Sequence, residues 1–197
     1  MQVSFAALAV FCGSTPGDDP VFRDRAHAFG ATLARRGIRL IYGGGDVGLM
    51  GAVADGVLSG GGDVHGVITR ALEAKEIAHR GLGTLEVVET MHERKARMAD
   101  LADGFVLLPG GFGSLDEFFE AVTWTQLGIH EKPCGVLDLA GYYLPLAAMI
   151  ANGLERGFVR PQHASLVLVD DDPEKLLARM AAWKPISVDK WVDRRQR

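Results

Sequence analysis

Seven short apolar runs recur along the chain without the polar alternation of a half-exposed strand. They lie at Leu8 to Phe11, Arg39 to Tyr42, Val64 to Thr69, Leu85 to Val88, Phe105 to Leu108, Gly135 to Leu139 and Leu166 to Val169. Between most of them are stretches with helical spacing: Val21 to Arg36, Leu49 to Ser59, Met91 to Ala102, Leu115 to Leu127, Tyr143 to Leu154 and Pro173 to Trp183. Strands that are apolar on both faces and separated by helices need cover on both sides. The predicted fold class is therefore α/β, a doubly wound parallel sheet with helices on both faces. With 197 residues the chain suffices for one such domain and is too short for two ordinary ones. We expect the domain over 1–183, followed by a charged, aperiodic extension over 184–197 that would dock on a partner subunit or fray.

Charge narrows the partners. Lys and Arg number 21 against 25 Asp and Glu, a net charge of -4, and the signs alternate along the chain. No basic stripe advertises nucleic acid, so a small-molecule partner is expected. Cys12 and Cys134 end apolar stretches without metal-ligand spacing, which fits buried free thiols in a reducing compartment. His27, His65, His79, His92, His130 and His163 are scattered without ligand spacing, and no metal or cofactor is expected. The first apolar run has the length of a leader's core, but no Lys or Arg precedes it and bulky Phe11 stands where cleavage wants a small residue. It reads as a buried strand, nothing approaches the ~20 residues of a membrane span, and a cytoplasmic protein is expected.

In doubly wound sheets ligands bind beyond the carboxyl ends of the strands, where strand order reverses. Three strand-to-helix junctions matter. In the first, Gly43, Gly44, Gly45 and Gly48 give GxGxxG in the register 43, 45, 48. Bare amides there would suit a phosphate, although a tight turn and close helix packing also demand glycine. Asp63 precedes the next strand and Thr69 ends it, so the acid of a dinucleotide site is missing and intact NAD is disfavoured. In the second, Thr90 and Glu93 have capping-box spacing, and Arg94, Lys95 and Arg97 follow. Cations in first turns oppose the helix dipole by ~0.3–1 kcal/mol each, a cost that makes sense if an anion sits among them. Arg94 and Lys95 flank the stripe of Met91, Met98 and Ala102, which puts them at the edge of the buried face; a solvated charge run is the alternative. In the third, Pro109 ends a strand, Gly110, Gly111 and Gly113 bare the backbone, and Ser114 is expected to cap the next helix. Glu117 lies at capping-box spacing from Ser114, so it is either a cap or a chemical group, and Asp116 suits the helix start. Two anion cradles, a pair of cations and a carboxylate in one crevice would serve a phosphorylated sugar whose reacting carbon needs an acidic partner.

The stretches "YGGGDVGLMG", "MHERKARM", "PGGFGSLDE" and "WTQLGIHEKP", in that order, resemble the LONELY GUY (LOG) family of cytokinin-activating phosphoribohydrolases, whose bacterial members are often labelled lysine decarboxylases. The resemblance spans nearly the whole chain. It implies a homodimer of Rossmann-like subunits that hydrolyses the N-glycosidic bond of nucleoside 5′-monophosphates to free base and ribose 5-phosphate. By position, Arg94 and Glu117 fall on the family's catalytic arginine and glutamate. Lys95, the backbone of Gly110, Gly111, Phe112, Gly113, Ser114, Leu115 and Asp116, and Thr123 fall on its nucleotide-binding positions, and Glu76 on a binding glutamate. Ser114 replaces the family's threonine and keeps a hydroxyl. Over Leu72 to Gly83 the family's proline-containing approach to that glutamate is replaced by Leu-Glu-Ala-Lys, and base preference stays open.

Residue chemistry agrees with the resemblance. Cleaving a ribosyl–base bond passes through an oxocarbenium-like state, which a carboxylate such as Glu117 stabilises while orienting water. Arg94 would hold the phosphate or polarise the leaving base. Lysine decarboxylation would need a Schiff-base lysine in a dry pocket, and Lys75, Lys95, Lys132, Lys175, Lys184 and Lys190 offer no such context. The non-enzymatic alternative is a nucleotide or pterin carrier, which would keep the glycines but need no Glu117. Finally, Phe118, Phe119, Val122, Trp124, Tyr142 and Tyr143 supply enough aromatic and apolar surface for a subunit interface across their two helices, with ordinary core as the alternative.

Overall fold

The computed structural model describes residues 5–73, 79 and 82–186. Strands β1 (Ala7–Phe11), β2 (Arg39–Tyr42), β3 (Val64–Thr69), β4 (Thr84–Val88), β5 (Phe105–Leu107), β6 (Cys134–Leu137) and β7 (Val167–Asp170) form one sheet in the order β4-β3-β2-β1-β5-β6-β7, with every pairing parallel. The helices are α1 (Pro20–Arg35), α2 (Gly48–Ser59), α3 (Arg70–Glu73), α4 (Met91–Leu101), α5 (Phe112–Gln126), α6 (Leu144–Glu155) and α7 (Pro173–Ala182). The doubly wound α/β class is the one expected. The chain winds outward from β1 to β4, then returns to β5 beside β1, so the strand order reverses between β1 and β5. Among the described residues no helix is long and apolar enough to cross a membrane. Residues 187–197 of the expected extension lie outside the described residues.

The lack of alternation in the strands reflects two cores. Leu8, Val10 and Cys12 point to one side, into a cluster with α1, α2 and α7. Ala7, Ala9 and Phe11 point to the other, where Met98 of α4 and Phe118 and Val122 of α5 cover them. On the first side α1 and α2 meet backbone to backbone: a methyl group on Gly30 would lie 2.1 Å from the Val53 oxygen, and one on Gly56 2.1 Å from that of His27. Side chains there would force the helices apart.

The stretch WTQLGIHEKP braces the turn from α5 to β6. The His130 ring lies against Phe105 and Trp124, and its Nδ1 accepts from the Lys132 amide. Lys132 Nζ donates to the Ala99 carbonyl in the last turn of α4. Burial, reinforced by the Lys132 charge, pushes the His130 imidazole down to about 4. The unfolded imidazole takes its proton near ~6.5, so between these values the unfolded state binds more protons and stability falls with falling pH. We expect denaturation midpoints to drop between about pH 7 and about pH 5, and His130→Gln to flatten that slope; an equally steep slope in the variant would contradict this.

Candidate active site

The crevice lies at the reversal between β1 and β5. α5 begins at Phe112, with Gly111 as its N-cap in extended backbone and no side-chain cap. This corrects the expectation that Ser114 caps the helix. Ser114 lies inside the first turn, buried against Gly110, where a methyl group would meet its Oγ at 2.2 Å. Glu117 is therefore no capping-box partner. The Leu115 amide already bonds to the Gly111 carbonyl. The preceding amides of Phe112, Gly113 and Ser114 form the positive end of the helix, which suits an anion.

Arg94 faces that helix from α4. The capping box Thr90–Glu93 is formed as expected, the Thr90 hydroxyl accepting from the Glu93 amide and the Glu93 carboxylate from the Thr90 amide. That start fixes the phase of α4 and turns Arg94 inward, where it is only 6% exposed. Its Nε donates to the Val67 carbonyl at 3.0 Å and one terminal nitrogen to the Gly43 carbonyl at 3.4 Å. The same nitrogen is 3.7 Å from Glu117 Oε1. A methyl group on Gly43 would lie 2.2 Å from that guanidinium nitrogen and push it from its place beside Glu117. Lys95 Nζ stands 3.1 Å from Asp116 Oδ2 and 3.0 Å from Glu120 Oε2. Burial pulls the Lys95 ammonium down, but its bonds to Glu120 and Asp116 outweigh this and hold it above its ordinary value. A Schiff-base lysine needs the opposite shift.

Other expected members are placed differently. Arg97 turns away to Glu86 on β4. The amides of Leu49 and Met50 both bond to the Gly13 carbonyl, so the N-terminus of α2 is largely spent on the end of β1. Gly43, Gly44 and Gly45 are buried, and methyl groups on Gly44 and Gly48 would lie 2.9 Å from the Leu85 side chain and 2.3 Å from the Ser14 backbone, so close packing accounts for glycine at those two positions. Thr123 is exposed about two turns along α5 from Asp116, its hydroxyl donating to the Phe119 carbonyl. Glu76 lies outside the described residues.

Two features were absent from the sequence reading. Thr15, Pro16, Gly17 and Asp18, with Phe22, Leu49 and Tyr142, enclose a cavity of about 260 Å³ that reaches Gly110 and Gly111; the Gly-Ser-Thr-Pro-Gly turn after the first apolar run was its signal. The second is a tyrosine pair. Tyr142 donates to the Gly110 carbonyl and Tyr143 to that of Leu108, each at 2.9 Å, their rings edge to face. They leave a turn in which Ala140 has a φ of 54°, a conformation costing ~1–3 kcal/mol outside glycine.

A doubly wound α/β protein with a helix N-terminus beside a buried arginine and a partly buried glutamate, at the strand-order reversal, has the layout of the small-molecule-binding members of that fold class. Comparison with known proteins defines it further. A family model described as "possible lysine decarboxylase" matches residues 50–180. A cytokinin riboside 5′-monophosphate phosphoribohydrolase of Rhodococcoides fascians is 46% identical over 173 residues, covering 87% of each chain. The Arabidopsis thaliana enzyme LOG1, of the same description, is 40% identical over 185 residues, covering 94% of this chain and 87% of its own. The chain belongs to this LOG-type family. A molybdenum cofactor binding protein from Rippkaea orientalis superposes with a TM-score of 0.64 at 20% identity, over 85% of this chain and 90% of its own, and shares the Rossmann-like fold.

Proposed function

We propose that the chain hydrolyses the N-glycosidic bond of nucleoside 5′-monophosphates, cytokinin ribotides or AMP, releasing free base and ribose 5-phosphate. The observation that carries this reading is Glu117, 12% exposed, paired with Arg94 beside the open end of α5. The phosphate takes the amides of Phe112, Gly113 and Ser114, which brings the ribose toward Glu117. As the C1′–N bond breaks, positive charge grows on the sugar and the carboxylate stabilises it. Water adds to C1′, and its proton balances the charge that leaves with the base. A carrier would have no use for a partly buried carboxylate at that place. Incubating the purified protein with AMP and with a cytokinin ribotide, followed by chromatography, tests the reading: free base from neither would refute it.

The reading includes a homodimer in the cytoplasm. The support for the dimer is a set of exposed apolar side chains, and that for the compartment is two buried free thiols. Helix α6 buries no residue in the subunit, and Leu144, Met149, Phe158, Leu127 and Ile129 are exposed. These differ from the side chains first expected at an interface, since Phe118, Val122 and Tyr143 lie in the subunit's own core. We expect light scattering to give twice the 21.2 kDa chain mass and Met149→Glu to yield monomers; a wild-type monomer at micromolar concentration would contradict this.

A further inference from the structure

Lys95 is gripped from successive turns of α5, by Asp116 and by Glu120 four residues on. The two carboxylates are not equivalent. The Asp116 side chain is 64% exposed, that of Glu120 22%, and that of Lys95 14%. One ammonium between two carboxylates leaves a surplus negative charge close to the helix end proposed to receive a phosphate dianion. Asp116, wetted on most sides, can turn into water at little cost, whereas Glu120 is packed in place. An ammonium has three N–H donors, so Lys95 can keep Glu120 and redirect the donor that Asp116 holds.

We propose that Glu120 is a positioning residue that holds Lys95 for the nucleotide, and that Asp116 is the partner Lys95 exchanges for it. This rests on the phosphoribohydrolase reading above. The nucleotide oxygen takes the place of Asp116 Oδ2, and the surplus charge moves out to solvent with the aspartate.

Three variants test it through opposite signs. Glu120→Ala is expected to raise KM for AMP about tenfold, with a smaller change in kcat, and Glu120→Gln, whose amide oxygen still accepts from Lys95, to recover most of that loss. Asp116→Asn is expected to lower KM, because a competitor for Lys95 has been weakened. A simple charge effect would lower KM in both Glu120→Ala and Asp116→Asn, since each removes a negative charge near an anion site. Calorimetry with ribose 5-phosphate reads the same split in Kd without turnover, and mass spectrometry after mild acylation should find Lys95 modified faster in Glu120→Ala. Glu120→Ala binding as tightly as wild type, Asp116→Asn binding more weakly, or wild type failing to bind ribose 5-phosphate would each overturn the proposal. The split in Kd without free base from any nucleotide would sink the hydrolase reading and leave the Lys95 exchange standing.

Discussion

Glu117→Gln is expected to lower kcat by about 100-fold or more, the size seen when one preorganised electrostatic stabiliser is lost. Folding should survive. Glutamine keeps the length of the side chain and an oxygen to face Arg94, which retains its bonds to the Val67 and Gly43 carbonyls. The cap explanation is gone, because α5 starts five residues before Glu117 at Phe112. The charge is then what the substitution removes. A fall in kcat with KM for AMP within a few-fold and a nearly unchanged melting temperature supports the catalytic reading; wild-type kcat would remove it. Arg94→Ala would be less clean, since it empties a buried site and strips partners from two carbonyls as well as from Glu117.

Adenosine is expected to be a far poorer substrate than AMP. The first turn of α5 has no side-chain cap, and charge-assisted bonds from its amides to a phosphate are worth ~1.5–3 kcal/mol each. Losing two of them lowers kcat/KM by roughly 10²–10⁴. Inorganic phosphate should accordingly compete with AMP and not with adenosine. Comparable kcat/KM for nucleoside and nucleotide would mean that the phosphate contributes nothing to recognition and would leave the α5 terminus without a role.

The fold was legible because the apolar runs are local, and each observed strand overlaps one of them. The start of α4 was legible for the same reason, since Thr90 and Glu93 cap it from within its first turn, and the helical stripe put Arg94 at the edge of the buried face, where the structure turns it fully inward. What escaped depends on contacts distant in sequence. Ser114 has the hydroxyl of a cap, but an extended glycine, Gly111, occupies the N-cap position and leaves the helix without a side-chain cap. The first glycine cluster has the spacing of an anion site, but the Gly13 carbonyl, far off in sequence, takes the amides of Leu49 and Met50 in the helix that follows it. Glu120 passed unnoticed because only the approach of α4 to α5 gives it Lys95 as a partner. Phe118, Val122 and Tyr143 proved to be core for the same reason, since periodicity marks a face as apolar without saying whether its own sheet covers it.

The tyrosine pair bears on any attempt to move this site into another protein. The strap from Leu108 to Gly111 is tied down by hydroxyls from residues more than thirty positions downstream, through a turn held in an unfavourable conformation at Ala140. PGGFGSLDE is thus half of a two-part fixture. Grafted onto a foreign strand–helix junction, it would bring its amides and its acids without the anchors that aim them, so a transplant has to carry the turn from Asp138 to Tyr143 as well.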